Sequence, residues 1–140
     1  MKSSLFAAIA LLTVFFQPNS YARTPITMGQ LAGTWVIALI GDTGCGISTS
    51  YVIVTLNASG SGMATNRSHT SGCGNPVQTE PFAINTLNRE GNGTANLSCG
   101  PACGWEFKIQ VGPSVQVFNL VDVDPNNPGN YLEGTAVRQE

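Results

Sequence analysis

The chain has 140 residues and a formal net charge of −2, with charged side chains making up only 10% of it. No basic stripe runs along it, which excludes a nucleic-acid surface. Gly, Thr, Asn, Ser and Val are plentiful and helix formers are scarce, so the composition favours strands joined by tight turns.

In chain order, Lys2 precedes an apolar run over 5–16 and a polar stretch over 17–22. Ser20 and Ala22 supply small residues three and one positions before a cleavage point. This is the layout of a secretory signal peptide over 1–22, cut after Ala22. The apolar run of about twelve residues is too short to span a bilayer. No cysteine follows the cut, so nothing suggests a lipid anchor there. The expectation is an exported protein, secreted or periplasmic, in which 23–140 form a single domain.

Eight strands follow, near 34–41, 46–57, 62–70, 82–88, 93–98, 105–111, 115–123 and 131–139. The segment Trp105-Glu-Phe-Lys-Ile-Gln-Val111 alternates apolar and polar residues, the period-2 mark of a half-buried strand. An internal repeat organises the middle of the chain: residues 51–64 align with 82–95 without gaps and are identical at seven of fourteen positions. Each copy reads as strand, turn and return strand. Asn57 and Asn88 suit the turn entry, and Gly60, Gly62, Gly91 and Gly93 are free to take positive φ. Duplication and shared hairpin chemistry explain the repeat equally well. With no long crossovers, an antiparallel up-and-down meander is the simplest topology.

Threading that meander sorts the connections. Tight turns near 58–61, 89–92 and 112–114 fall at one end. Longer loops near 41–45, 71–81, 99–104 and 124–130 fall at the other, together with all four cysteines. Export makes disulfides the default reading; a metal site has poor support from Cys99-x3-Cys103 and the lone His69, so no metal or cofactor is expected. The sequence alone allows three pairings. The threading lets Cys45 and Cys73, which flank one hairpin, meet, and leaves Cys99 to pair with Cys103. Gly33-Thr34-Trp35 opens the first strand and Ala136-Val137-Arg138 closes the last. If the sheet closes, the two become neighbours at one rim.

The segment Met28-Gly-Gln-Leu-Ala-Gly-Thr-Trp35, with Arg138 on the last strand, resembles lipocalins and other members of the calycin superfamily. The resemblance implies an eight-stranded all-β barrel with a short helical turn before strand 1 and a basic residue packed over the tryptophan. A guanidinium over an indole is worth about 0.5–2 kcal/mol. The chain also resembles small periplasmic inhibitors of secreted metalloproteases: Leu31-x-Gly33-x-Trp35 and a Cys45–Cys73 bridge fit their layout, and the tail over 23–28 would be the part that enters a protease.

Catalytic chemistry is thinly supported. Nucleophilic catalysis needs a base beside the nucleophile, and His69 is the one histidine. Asp122 and Asp124 border a Pro-Asn turn, where a solvated turn is the plain reading and a weak Ca²⁺ site the sharper one. The expectation is therefore a non-enzymatic, monomeric binder. The barrel interior and mouth, at Trp35, Ile37, Leu39, Tyr51, Ile53, Phe82, Ile84, Trp105, Phe107 and Tyr131, with Ile109 as a further inward position, would line a site for a small apolar or amphipathic ligand. The alternative is an inhibitor or binding module acting on another exported protein, such as a protease or other hydrolase. A barrel of eight strands has room to be filled by side chains or to hold one small ligand.

Overall fold

Short runs of β-branched and aromatic residues, broken by turns such as Asn57–Gly60 and Asn88–Gly91, commit this chain to strands that need partners on both sides. A computed structural model describes residues 24–100, 103–126 and 129–140. The segment read as a signal peptide lies outside the described residues, as do the side chains of Cys99 and Cys103 and hence their expected bridge. A 3₁₀ turn, Met28–Leu31, is followed by β1 (Gly33–Asp42), β2 (Ile47–Leu56), β3 (Ser61–Thr70), β4 (Val77–Leu87), β5 (Asn92–Gly100), β6 (Cys103–Val111), β7 (Val117–Asp122) and β8 (Tyr131–Arg138). Each strand pairs antiparallel with the next, and β8 pairs with β1, so the sheet is a closed up-and-down barrel. The eight strands expected from the sequence are all present. β4 begins at Val77 rather than near 82, and β7 at Val117 rather than near 115.

Closure sets Trp35 opposite Arg138 in the β1–β8 register. The Trp35 side chain is fully buried, and its indole N–H donates to the Leu31 carbonyl oxygen at 2.8 Å. The Arg138 guanidinium carbon lies 5.0 Å from the indole centroid, and its Nη2 donates to the Gln30 carbonyl. One indole and one guanidinium thus fasten the 3₁₀ turn across that end as a plug. The Thr27 N–H donates to the Gln30 side-chain oxygen at 2.7 Å, which holds the turn's entry. Ile26 is buried beneath, with its N–H donating to the Arg89 carbonyl.

The two repeat copies fold alike at their turns. The Asn57 side-chain oxygen accepts from the Ser59 and Ser61 N–H groups, and that of Asn88 from Glu90 and Asn92. Gly60 and Gly91 take positive φ, 83° and 89°. Gly62 and Gly93 do not. They serve a different purpose: an added Cβ would sit 2.1 Å from the Thr55 carbonyl oxygen in one copy and 2.0 Å from that of Thr86 in the other.

The copies differ upstream of their turns. A register shift between Ile84 and Thr86 inserts a bulge in β4, and a one-residue slip exchanges the two faces of a strand. Phe82 and Ile84 therefore point inward, whereas their counterparts Tyr51 and Ile53 point outward and are 48% and 39% exposed. The expectation that Tyr51 and Ile53 line the interior is corrected. Residues 51–54 are apolar on both faces, so alternation does not choose between them. The pairing of Trp35 with Val54 does, placing Val52, Val54 and Leu56 inside.

Candidate functional site

Two different environments divide the barrel. Towards the plugged end, Trp35, Val54, Leu56, Ile109, Val111 and Phe118 fill the lumen, with the Trp35 and Phe118 ring centroids 4.8 Å apart. Towards the long-loop end, the inward positions of β2, β3 and β4 become polar: Ser48, Ser50, Asn66, Thr70 and Glu80 are all buried. Burial of polar groups is costly unless they find partners. Ser48 bonds to Thr43 and Gly46; Ser50, Asn66, Thr70 and Glu80 line a cavity of about 260 Å³ together with Thr43, Ser68, Pro76, Gln78, Trp105, Leu132 and the two cysteines of the Cys45–Cys73 disulfide.

A directed chain of hydrogen bonds crosses this mouth. The Ser68 hydroxyl donates to the Asn66 side-chain oxygen at 3.0 Å. A hydroxyl has one proton, so in the 2.9 Å contact between Ser50 and Ser68 the donor is Ser50. The Asn66 amide then donates to a Glu80 carboxyl oxygen at a long 3.4 Å. The chain ends on Glu80, which is 4% exposed. Among the described residues no arginine, lysine or histidine pairs with it. Thr70 and the disulfide frame the outer rim, with the Cys73 N–H donating to the Thr70 hydroxyl at 3.0 Å.

Burial pushes the Glu80 carboxyl above its ordinary value of 4.5, and the Asn66 hydrogen bond works in the opposite direction. The folded state therefore holds this proton at pH values where the unfolded chain has released it. Stability from a neutral Glu80 is complete below pH 4.5 and is lost as pH rises through the folded value. Glu80→Gln, which cannot ionise, is expected to be more stable than the parent at neutral pH, with the gap closing towards pH 4.5. Urea midpoints measured across this range check it; a gap that ignores pH would mean that ionisation is not its cause.

The residues expected to form the site are only partly together. Trp105 is half-buried and lines the mouth. Trp35, Ile37, Leu39, Phe82, Ile84, Phe107 and Ile109 are buried in the core. Tyr131 is 56% exposed, outside the lining of the mouth cavity. Asp122 and Asp124 cap their own turn: Asp122 accepts from the Asp124 N–H at 2.9 Å and Asp124 from the Asn126 N–H at 2.8 Å. Burial raises the Asp122 carboxyl, against the hydrogen bond from Asp124. His69 lies on the outer wall against Asn75.

The expectations did not include Glu80, Asn66 or Ser50 as site residues. Glu80 lies in the stretch 71–81, expected from the sequence to be a loop, whereas β4 begins at Val77. Counting back in twos from Ile84 and Phe82 reaches Glu80 and Gln78, which is the signal that finds them. A larger depression of about 730 Å³ lies among outward residues of β4 to β7, including Thr86, Thr94, Lys108, Gln110 and Asn119. The mouth is the better candidate, because it combines enclosure by the barrel wall with four buried polar side chains, Ser50, Asn66, Thr70 and Glu80. Scanned against models of known protein families the chain matches none, and a search of curated proteins finds no match.

Proposed function

We propose that this chain is an exported, lipocalin-like, non-enzymatic binding protein that holds a small amphipathic molecule in the mouth of its barrel. The observation that carries the reading is the meeting, in one cavity of about 260 Å³, of buried hydrogen-bonding side chains with Trp105, Leu132 and Pro76. Ligand pockets usually run from about 300 Å³ upward, so the fit is to a fragment-sized molecule rather than a long acyl chain. The calycin resemblance of the Gly33-x-Trp35 and Arg138 pair, and the plugged end that this pair fastens, support the same assignment. Export is supported by the signal-peptide-like sequence pattern over 1–22 and by the Cys45–Cys73 disulfide, since such bonds persist in oxidising compartments. Among the described residues no nucleophile stands beside a base in the mouth, which favours a binder over an enzyme.

Docking on a protease through the 23–28 tail draws less support. Ile26 is 4% exposed and hydrogen-bonded to Arg89, and the 3₁₀ turn begins at Met28. A screen of fragment-sized amphipathic compounds against the ¹⁵N-labelled protein tests the proposal. Amide shifts are expected to cluster at Ser50, Asn66, Glu80 and Trp105. Shifts confined to the outer groove around Lys108 and Asn119, or binding of a secreted protease with an untouched mouth, would overturn it.

A further inference from the structure

Resting on the mouth-site reading above, we propose that the molecule recognised there is a compact organic monoamine, with Glu80 as the counter-ion of its ammonium group and Trp105 as the wall for its apolar part. Among the described residues, Glu80 is the one ionisable side chain in the lining; the rest are hydroxyls, amides, Pro76, Leu132, Trp105 and a disulfide. A single carboxyl in an otherwise neutral cavity is complemented by a single positive charge.

No described residue supplies that charge. Among the described residues, Arg67, Lys108 and His69 face outward from the barrel wall, Arg89 sits in a closed-end turn, and Arg138 is committed to Trp35 and the plug. The internal partner of Glu80 is a neutral amide on a stretched 3.4 Å bond, and it reaches one of the two carboxyl oxygens. The polarity of the hydrogen-bond chain agrees with a cationic occupant. Ser50, Ser68 and Asn66 each donate towards Glu80, so the carboxyl is fixed as an acceptor with capacity left for a ligand's N–H groups. An indole face is also the side-chain surface best suited to lie against a cation or the ring that carries it. Size sets the upper bound: 260 Å³ is about nine water volumes at roughly 30 Å³ each, enough for an amine with one small ring.

The test uses three probes of one shape: 2-phenylethylamine, its neutral counterpart 2-phenylethanol, and the anion 3-phenylpropionate. Each is titrated into the ¹⁵N-labelled protein and into Glu80→Gln, which keeps the size of the side chain and its bond from Asn66 but not its charge. The amine is expected to bind at least about ten-fold more tightly than the other two, as a charge-assisted contact provides. In Glu80→Gln it should fall to the level of the alcohol. Equal binding of all three probes in the mouth, or an amine preference that survives Glu80→Gln, would overturn the amine assignment and leave the mouth site standing. If no probe moves the mouth amides at roughly 10 mM, both the assignment and the site fail.

Discussion

Trp35→Ala is expected to cost about 3–5 kcal/mol of folding stability, the range for a large aromatic removed from a core. Most domains have only about 5–15 kcal/mol in total, so the variant would be close to unfolding. The side chain is fully buried, packs 4.8 Å from Phe118, donates to the Leu31 carbonyl and carries Arg138 on its outer face. Its loss therefore opens a cavity and unfastens the plug at the same time. A drop in Tm of about 10–20 °C is expected for a domain of this size. Circular dichroism in urea is the suitable readout, because the substitution removes a fluorophore. Trp35→Phe should cost less, keeping most of the ring but losing the bond to Leu31.

The pairing across the barrel seam is separable by a double-mutant cycle. Arg138→Met keeps much of the stem that covers the indole and loses the charge and the bond to Gln30. Coupling between positions 35 and 138 is expected at about 0.5–2 kcal/mol. Additive effects would mean that the guanidinium and indole are neighbours without interaction.

This seam was the most legible feature of the sequence, and the reason is geometric. In an up-and-down barrel the first and last strands must become neighbours, so residues at the two ends of the chain constrain each other. Alternation is equally plain in Trp105 to Val111, where Phe107, Ile109 and Val111 are buried and Trp105 half-buried. It failed where a strand is apolar on both faces. Tyr51 to Val54 carries no polar residue to mark the outside, and the choice was made by pairing with β1 and by a bulge in β4. The candidate site was obscured for the opposite reason. Its inward residues are polar, so the rule that assigns apolar residues to the interior passes over Ser50, Asn66 and Glu80. They are buried at the mouth of a barrel whose closed end already supplies the core.

The second large effect concerns the mouth. Replacing both Cys45 and Cys73 by serine is expected to cost about 3–4 kcal/mol, the chain-entropy value for a bridge across a 28-residue separation. The location gives this figure its structural meaning. The β2–β3 hairpin turns at the plugged end, where Asn57 and Gly60 hold it, and its free end lies at the mouth. There the ladder is continued past the strands by the Ser71 N–H to the Ile47 carbonyl and the Gly72 N–H to the Cys45 carbonyl, at 3.1 and 2.8 Å. The disulfide pins this extension, and both cysteines border the cavity that holds Ser50, Asn66 and Glu80. Loss of the bridge should therefore loosen one end of the barrel more than the other. Native-state hydrogen exchange is expected to show weakened protection at Ser48, Ser50 and Thr70, beyond the global loss, while Val54 and Ala64 follow global unfolding alone. Probe binding in the mouth should weaken in parallel, because the wall that carries Ser50 and Ser68 is no longer held in place. A uniform loss of protection along both strands would mean that the bridge acts on the unfolded chain only. A loss below about 1 kcal/mol would mean that the ladder alone holds the mouth.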